Sequence, residues 1–90
     1  MRMEDLVRCF ECAMKNGSKY IGVKIETVGY KKEEIIINPK ENFNDKLEYY
    51  KQAYNDDLTL KNAPHKIRIV GFTFANTYEE VAKDLLCKRT

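Results

Sequence analysis

The sequence predicts an α+β fold with the element order α-β-β-α-β-α, in which a three-stranded, mainly antiparallel sheet has helices packed on at least one face. Apolar residues recur at helical spacing in three segments and at strand spacing in three others. Residues that cap helices or form turns separate these segments. A chain of 90 residues suits one small domain, so we expect residues 1–90 to form a single α+β domain.

The first predicted helix covers about the first fifteen residues, where apolar side chains recur every three or four positions and therefore share one face. That face consists of Met3, Leu6, Val7, Phe10 and Met14. Gly17 predicts the end of this helix, because glycine adopts the left-handed backbone conformation at little cost.

Two strands joined by a tight turn are predicted next, over residues 19–28 and 34–37. Alternate residues of the first strand are apolar, which predicts that one face is buried and the other faces solvent. The predicted buried residues are Ile21, Val23 and Ile25, and the predicted outward ones are Gly22, Lys24 and Glu26. The predicted turn is Gly29-Tyr30-Lys31-Lys32.

The second predicted helix has the clearest capping signal in the chain, Asn38-Pro39-Lys40-Glu41. Asn38 is the predicted cap, Pro39 suits the first helical position, and Glu41 can bond back to the cap. The predicted buried face consists of Phe43, Leu47, Tyr50 and Tyr54. Residues 55–57 end this helix, and in the connector 58–64 we expect Leu58 and Leu60 to pack under the body of the domain.

The third predicted strand, residues 66–75, has an irregular apolar pattern. The two sets that share a face are Ile67 with Ile69, and Val70 with Phe72 and Phe74. Either both faces are covered, or Gly71 marks a β-bulge that shifts the alternation by one residue. We expect this strand to join the hairpin after the middle helix crosses back, at an edge that the pattern leaves open.

The last predicted helix begins at a second capping signal, Thr77-Tyr78-Glu79-Glu80. Its predicted buried face consists of Tyr78, Val81, Ala82 and Leu85. Lys88 and Arg89 near its end complement the helix dipole.

Composition narrows the class of protein. The chain is 43% hydrophobic and 33% charged, which is typical of a globular domain. Sixteen basic and fourteen acidic residues give a net charge of +2, and the pI of 8.4 is below the value of about 9 typical of nucleic-acid-binding domains. There is no apolar run near 18 residues, no signal-peptide core and an odd number of cysteines, so we expect no membrane insertion and a cytoplasmic location.

The stretch Arg8-Cys9-Phe10-Glu11-Cys12 contains a CxxC pair, which together with Cys87 and His65 supplies residue types that bind zinc. On the helical wheel Cys9 lies at the rim of the apolar face, and Cys12 lies on the polar side. Zinc-binding pairs usually lie in tight turns and redox pairs follow a strand, so we interpret these cysteines as reduced thiols. His65 has no catalytic partner at a recognisable spacing. We expect no metal, no cofactor and no catalytic residue.

Aromatic residues are the remaining candidates for function. The run Val70-Gly71-Phe72-Thr73-Phe74 is similar to the aromatic strand of RNA-recognition motifs, but those domains have the order β-α-β-β-α-β, so core or partner packing is favoured. Exposed tyrosines beside basic residues are typical of protein-binding surfaces. The predicted partner-binding residues are Tyr20, Tyr30, Lys31, Lys32, Tyr49, Arg68 and Phe72.

The run IINPKENFNDKLEYYKQAYNDDLTLK, followed by KIRIVGFTFANTYEE, resembles a group of small uncharacterised proteins from phages and prophages of Gram-positive bacteria. Their shared block reads INPxENxxxKLEYYxxAYNDDLxLK, and the resemblance covers most of residues 18–86. It implies a mobile-element origin and a bacterial host cytoplasm, and it carries no catalytic residue. Small phage proteins of this kind are often inhibitors of host proteins, including CRISPR effectors.

Three functional hypotheses follow. The leading one is a non-enzymatic interaction protein that binds a host or phage protein, such as an anti-CRISPR-like inhibitor of bacterial defence. The second is nucleic-acid binding through Lys31, Lys32, Lys61, Lys66 and Arg68. The third is a small-molecule sponge with a pocket between helices and sheet. A homodimer is a further candidate assembly, if the third strand leaves its aromatic face bare.

Overall fold

The computed structural model describes residues 1–30 and 33–87, and it confirms the predicted fold class and element order. The helices are α1 (Met3–Asn16), α2 (Phe43–Ala53) and α3 (Tyr78–Cys87), and the strands are β1 (Tyr20–Thr27), β2 (Glu34–Pro39) and β3 (Ile67–Ala75). Lys31 and Lys32 of the predicted turn, and Lys88 and Arg89 of the last helix, lie outside the described residues. In the described ranges, no helix combines the length and the apolar character needed to cross a membrane.

The three strands form one antiparallel sheet in the order β2-β1-β3, so β1 is the central strand. This arrangement confirms the predicted hairpin, and β3 pairs with the edge of β1 opposite to β2. Helices α1 and α2 cover one face of the sheet, and α3 covers the other. The prediction that β1 is exposed on one face is therefore wrong, since Gly22 and Lys24 are buried beneath α3 as fully as Val23 is buried on the opposite face.

The main core lies between the sheet and the pair α1 and α2. The Phe10 ring of α1 contacts two rings of α2, with centroids 6.1 Å from Phe43 and 6.2 Å from Tyr50. All four residues predicted to form the buried face of the second helix are buried, but α2 ends at Ala53, earlier than the predicted residues 55–57, so Tyr54 lies just past its end in extended conformation. In α1 the prediction is wrong for Met14, which is 39% exposed, because Ala13 occupies the buried position one turn beyond Phe10. Burial of each large apolar side chain contributes about 2 kcal/mol.

The predicted cap at Asn38 is wrong, because β2 extends further than its apolar run indicates. Asn38 lies opposite Ile21 and Pro39 lies opposite Tyr20 in the ladder, and the Lys40 N–H donates to the Lys19 carbonyl at 2.9 Å. A short 3₁₀ turn (Lys40–Asn42) then leads into α2. Asn38 and Pro39 locally favour the start of a helix, but pairing with the central strand β1 overrides that preference.

The irregular pattern of β3 has both of the causes that were considered. Ile69 pairs with Ile25 and Gly71 pairs with Lys24, which leaves Val70 as one extra residue in a β-bulge. The bulge shifts the alternation, so that the residues before and after it face the same core. These are Ile67, Ile69, Phe72 and Phe74. The opposite face is covered as well, since Gly71 lies against Leu85 of α3.

Helix α3 packs very closely on the sheet. A methyl group at Gly22 would overlap Val81 Cγ1 and Leu85 Cδ1, so this position accepts only glycine at the present helix distance. The Thr77 cap is confirmed, because its Oγ1 accepts the Glu80 N–H at 3.1 Å. Tyr78, a predicted core residue, is 57% exposed, since it starts the helix beyond the sheet and its ring packs against Tyr20 at 6.3 Å.

Candidate functional site

The outer edge of β3 is covered along its first half by a second piece of chain. We define the covering segment as residues 58–60 and the covered half as residues 67–69. The Ile69 N–H donates to the Leu58 carbonyl, and the Leu60 N–H donates to the Ile67 carbonyl, both at 2.9 Å. Thr59 faces Arg68 in an antiparallel bridge. The covering segment thus pairs with β3 as a very short antiparallel strand would.

Local side-chain bonds hold the covering segment in place. The Asp57 Oδ1 accepts the Thr59 hydroxyl at 2.6 Å and the Thr59 N–H at 3.1 Å. These bonds, the hydroxyl first, hold the pKa of the Asp57 carboxyl below its ordinary value. Leu58 has a positive φ of 67°, unusual for a leucine, and its side chain is fully buried. Burial of that side chain offsets the backbone strain.

The second half of β3, residues 72–75, has an unpaired outer edge, and we call it the open half. The Lys40 N–H bond to Lys19 shows that odd-numbered residues of β1 face β2, so its even-numbered residues bond to β3. Past the bulge those residues are opposite Thr73 and Ala75. The N–H and C=O groups of Phe72 and Phe74 therefore point outward, where no backbone group in residues 1–30 or 33–87 bonds to them.

The other edge of the sheet differs in composition. By the same alternation, β2 turns the backbones of Ile35 and Ile37 outward. Its ends carry Glu34, which is exposed and charged, and Pro39, which lacks an N–H; both discourage pairing with another strand. Residues 71–75 of β3 contain neither a charge nor a proline. The open half is thus the less protected of the two edges.

A groove of about 600 Å³ lies beside the open half, between β3 and α3. Its lining residues are Thr73, Phe74, Ala75, Glu80, Lys83 and Asp84. The strand supplies Phe74 and the small residues Thr73 and Ala75, and the helix supplies charges. Another depression, of about 470 Å³, lies at the start of α1, and one of its lining residues, Arg8, is already paired, since it contacts Asp5 at 3.3 Å and Glu4 at 4.0 Å.

Helix α3, which forms one wall of the groove, is held in place by a buried lysine. The Lys24 Nζ donates to the Leu85 carbonyl at 2.9 Å and pairs with Glu33 Oε1 at 3.1 Å. Its aliphatic stem runs beside Gly71, where a larger residue would approach it. The ammonium group thus satisfies a carbonyl at the end of α3, as a cation at a helix C-terminus does. The contacts of Lys24 thus tie one wall of the groove to the central strand.

The predicted partner-binding residues that the structure describes do not form one surface. Tyr20 and Phe72 are half-buried near one end of the sheet, and the exposed Tyr30 lies past the far end of β1, about 25 Å away along the strand. Phe72 packs on the core face, which favours packing over base stacking. Lys31 and Lys32 lie outside the described residues.

The other two predicted residues already have partners within the chain. The Arg68 Nε donates to Glu26 Oε1 at 2.7 Å, so its charge is locally balanced. The Lys46 ammonium lies 4.9 Å from the centre of the exposed Tyr49 ring. Beneath it, Tyr50 is buried with no hydrogen-bond partner for its hydroxyl in the described residues. Burial raises the pKa of Tyr50, so the phenol remains protonated.

The cysteines lie as the helical wheel predicts. Cys9 is half-buried and Cys12 is exposed. Burial, and then the neighbouring Cys12, raise the pKa of Cys9 to about 12, so it is a neutral thiol rather than a thiolate. His65 is exposed in its loop. Among the residues that the structure describes, no three His, Cys, Asp or Glu side chains are grouped so as to hold a metal.

The sequence interpretation missed most of the groove: Thr73, Ala75, Lys83 and Asp84 were not singled out. One signal was available. Residues 69–75 of β3 are seven consecutive residues without a charge or a proline, whereas the longest such run in the other edge strand, β2, is residues 35–38. Recognising it required the strand order, which the sequence pattern leaves open.

A comparison with protein-family models gives no match, and neither the curated proteins nor the solved structures include one significantly similar to this chain.

Proposed function

We propose that this chain is a non-enzymatic protein-interaction module, which binds a partner protein by adding a strand of that partner to the open half of β3. The supporting observation is the outward backbone of Phe72 and Phe74, which has no backbone partner in the part of the chain that the structure describes. The covered half supports the same idea, because there the same edge already pairs with an extended segment. Strand addition at a sheet edge is a common mode of peptide recognition.

The size of the edge limits its affinity. Two outward residues offer two donors and two acceptors, and each backbone hydrogen bond contributes about 0.5–1.5 kcal/mol net. The total of roughly 2–6 kcal/mol must also offset the entropy lost on association. Backbone pairing alone therefore gives no better than millimolar binding, for which about 4 kcal/mol is needed. Side-chain contacts beside the edge must supply the remainder.

The biological setting is a narrower part of the proposal. The INPxENxxxKLEYYxxAYNDDLxLK-like block supports an origin in a phage or prophage of a Gram-positive bacterium. A partner from the host or the phage, a location in the host cytoplasm and an anti-CRISPR-like role in countering bacterial defence follow from that resemblance. The contact geometry of β3 applies whatever the partner is.

The test uses two variants of one residue. Phe74→Val and Phe74→Pro both lose the ring, but only the proline also loses the outward N–H. The tagged wild type and both variants are expressed at near-native level in a Gram-positive bacterium and captured with their partners. We expect the wild type and Phe74→Val to retain a common partner that Phe74→Pro loses.

Thermal unfolding checks that both variants fold. If the proline variant does not, hydrogen exchange of the Phe72 and Phe74 amides with and without the captured partner replaces it. Equal capture by both folded variants, unchanged exchange, or no partner for the wild type would each contradict the proposal.

Nucleic-acid binding is the weaker alternative. Lys61, Lys66 and Arg68 are exposed near one end of the sheet, but Glu26 balances the charge of Arg68. The hypothesis predicts affinity that falls steeply with salt. A mobility shift at low salt that weakens with added salt would revive it.

A further inference from the structure

The groove beside the open half indicates which segment the edge accepts. In an antiparallel or parallel pair, residues directly opposite each other point to the same face of the sheet. Thr73 shares its face with Gly22, beneath α3, whereas Phe72 and Phe74 share theirs with Val23 and Ile21. A residue of an added strand opposite Thr73 therefore points into the groove, and its two neighbours point to the core side.

We propose that the added segment carries arginine or lysine at the position opposite Thr73, with apolar residues on both sides of it. This inference rests on the proposed function and names the chemistry of its partner. The groove has small strand residues, Thr73 and Ala75, beside the charges of α3. An arginine or lysine stem packs along the small residues while its charged end reaches the helix.

The charges in the groove favour a cation. Glu80 and Asp84 are four residues apart on α3 and so lie on the same side of the helix, and Lys83 is the one cation among the described residues of the lining. One oxygen of Glu80 accepts the Thr77 hydroxyl at 3.0 Å, and a carboxylate has a second oxygen for another donor. The described part of α3 also carries Glu79, which makes its charge more negative.

A second copy of this chain fits the edge less well. Two open halves related by a two-fold axis, with Phe72 opposite Phe74 of the other copy, bring Thr73 opposite Thr73. That pairing provides partners for the outward backbone groups, but it places Thr73 of the other copy, rather than an arginine or lysine, beside the groove. A heterologous segment with alternating apolar and basic residues satisfies both.

The experiment titrates the ¹⁵N-labelled protein with three seven-residue peptides at up to about 1 mM, the range set by the backbone contribution above. One alternates valine with arginine, the second alternates valine with glutamate, and the third is the arginine peptide with N-methylated amides at alternate positions. We expect the arginine peptide to shift the Phe72 and Phe74 amide signals, and the other two to bind at least about tenfold more weakly.

Two variants test the charges. Asp84→Asn should weaken the arginine peptide about twofold to fivefold, and Lys83→Ala should strengthen it by about twofold, as expected of exposed or partly exposed charges. Glu80 is left unchanged because it also takes part in the Thr77 cap. Equal binding of the arginine and glutamate peptides would overturn the charge preference and leave strand addition intact.

Three further outcomes would overturn this inference. Equal binding of the N-methylated peptide excludes backbone pairing as its cause. If no peptide shifts the amide signals of Phe72 and Phe74, the proposed segment chemistry is wrong. The Phe74 capture experiment decides separately whether a partner protein binds the edge. Protection of both amides in the free protein, with a dimer seen by sedimentation, would assign the edge to a second copy.

Discussion

The two halves of β3 belong to one strand and pair with the same neighbour, β1, but their outer edges differ. In the covered half, residues 58–60 bond to the backbone of Ile67 and Ile69. In the open half, the backbone of Phe72 and Phe74 has no such partner among the described residues. One strand can therefore help to close its own fold and also present a pairing edge, with the β-bulge at Val70 between the two.

Hydrogen exchange should show the largest difference between the halves. In the free protein we expect the Ile69 amide to exchange roughly a thousandfold more slowly than the Phe72 and Phe74 amides, because only Ile69 is bonded on the outer side. Two-dimensional NMR in deuterated buffer measures this directly. The inward amide of Thr73, opposite Gly22, is the control and should be protected. Similar exchange at Ile69 and Phe74 would remove the distinction.

Leu58→Ala should weaken the attachment of the covering segment to the covered half. Leu58 is fully buried, and its loss should lower the free energy of unfolding by about 3 kcal/mol, as for other buried leucines. Alanine keeps a Cβ, so the strain of the positive φ is unchanged. Chemical denaturation measures the effect, with Leu86→Ala as control, since Leu86 is exposed and its loss should cost less than about 0.5 kcal/mol. Equal effects of the two would contradict the prediction.

Gly22→Ala tests whether α3 packs tightly on the face of the sheet beside the open half, so that only the outer edge of that half is exposed. Gly22 lies opposite Thr73, and an added methyl group would overlap Val81 and Leu85. We expect the free energy of unfolding to fall by about 2 kcal/mol, the usual cost of overpacking. In a Val81→Ala background the same change should cost less, because one overlapping atom is gone. Additive effects would mean that α3 is not packed as described.

Asp57→Asn should show a small effect that depends on pH. The bonds from Thr59 lower the pKa of Asp57, so its carboxylate stabilises the folded state above its ordinary pKa of 3.8. That contribution is lost as the pH falls through the lowered pKa. The difference in free energy of unfolding between wild type and Asp57→Asn should therefore be present at pH 7 and shrink below pH 3.8. A difference that does not change with pH would exclude this role.

The fold class could be predicted from the sequence because the spacing of apolar residues along each segment indicates its secondary structure and its buried face. The spacing of Phe43, Leu47 and Tyr50 identified the buried face of α2, and the Thr77 cap marked the start of α3. The errors lie where distant contacts decide. Asn38 and Pro39 joined β2 because β1 supplies a pairing edge, and Lys24 is buried because α3 covers it.

The candidate site was less predictable. Tyrosine and lysine content indicated a binding surface, but the strand order determines which backbone groups remain unpaired. The spacing of apolar residues does not reveal that order. The β-bulge at Val70 also reverses which residues of β3 turn their backbone outward. Gly71 signalled the bulge, yet its effect on the edge appears only once the covering segment and β1 are both in place.

The order β2-β1-β3 also has a consequence in time. β2 follows β1 after a short turn, whereas β3 is synthesised only after α2 and the connector. During synthesis, one side of the central strand can pair early, and the other must wait for a distant segment. Such non-local pairing is the slow step of folding for sheet proteins. Until β3 arrives, β1 carries an unpaired edge over residues 20–27, which is longer than the open half of β3 in the finished molecule. We expect the tendency of the chain to aggregate to be greatest in that interval.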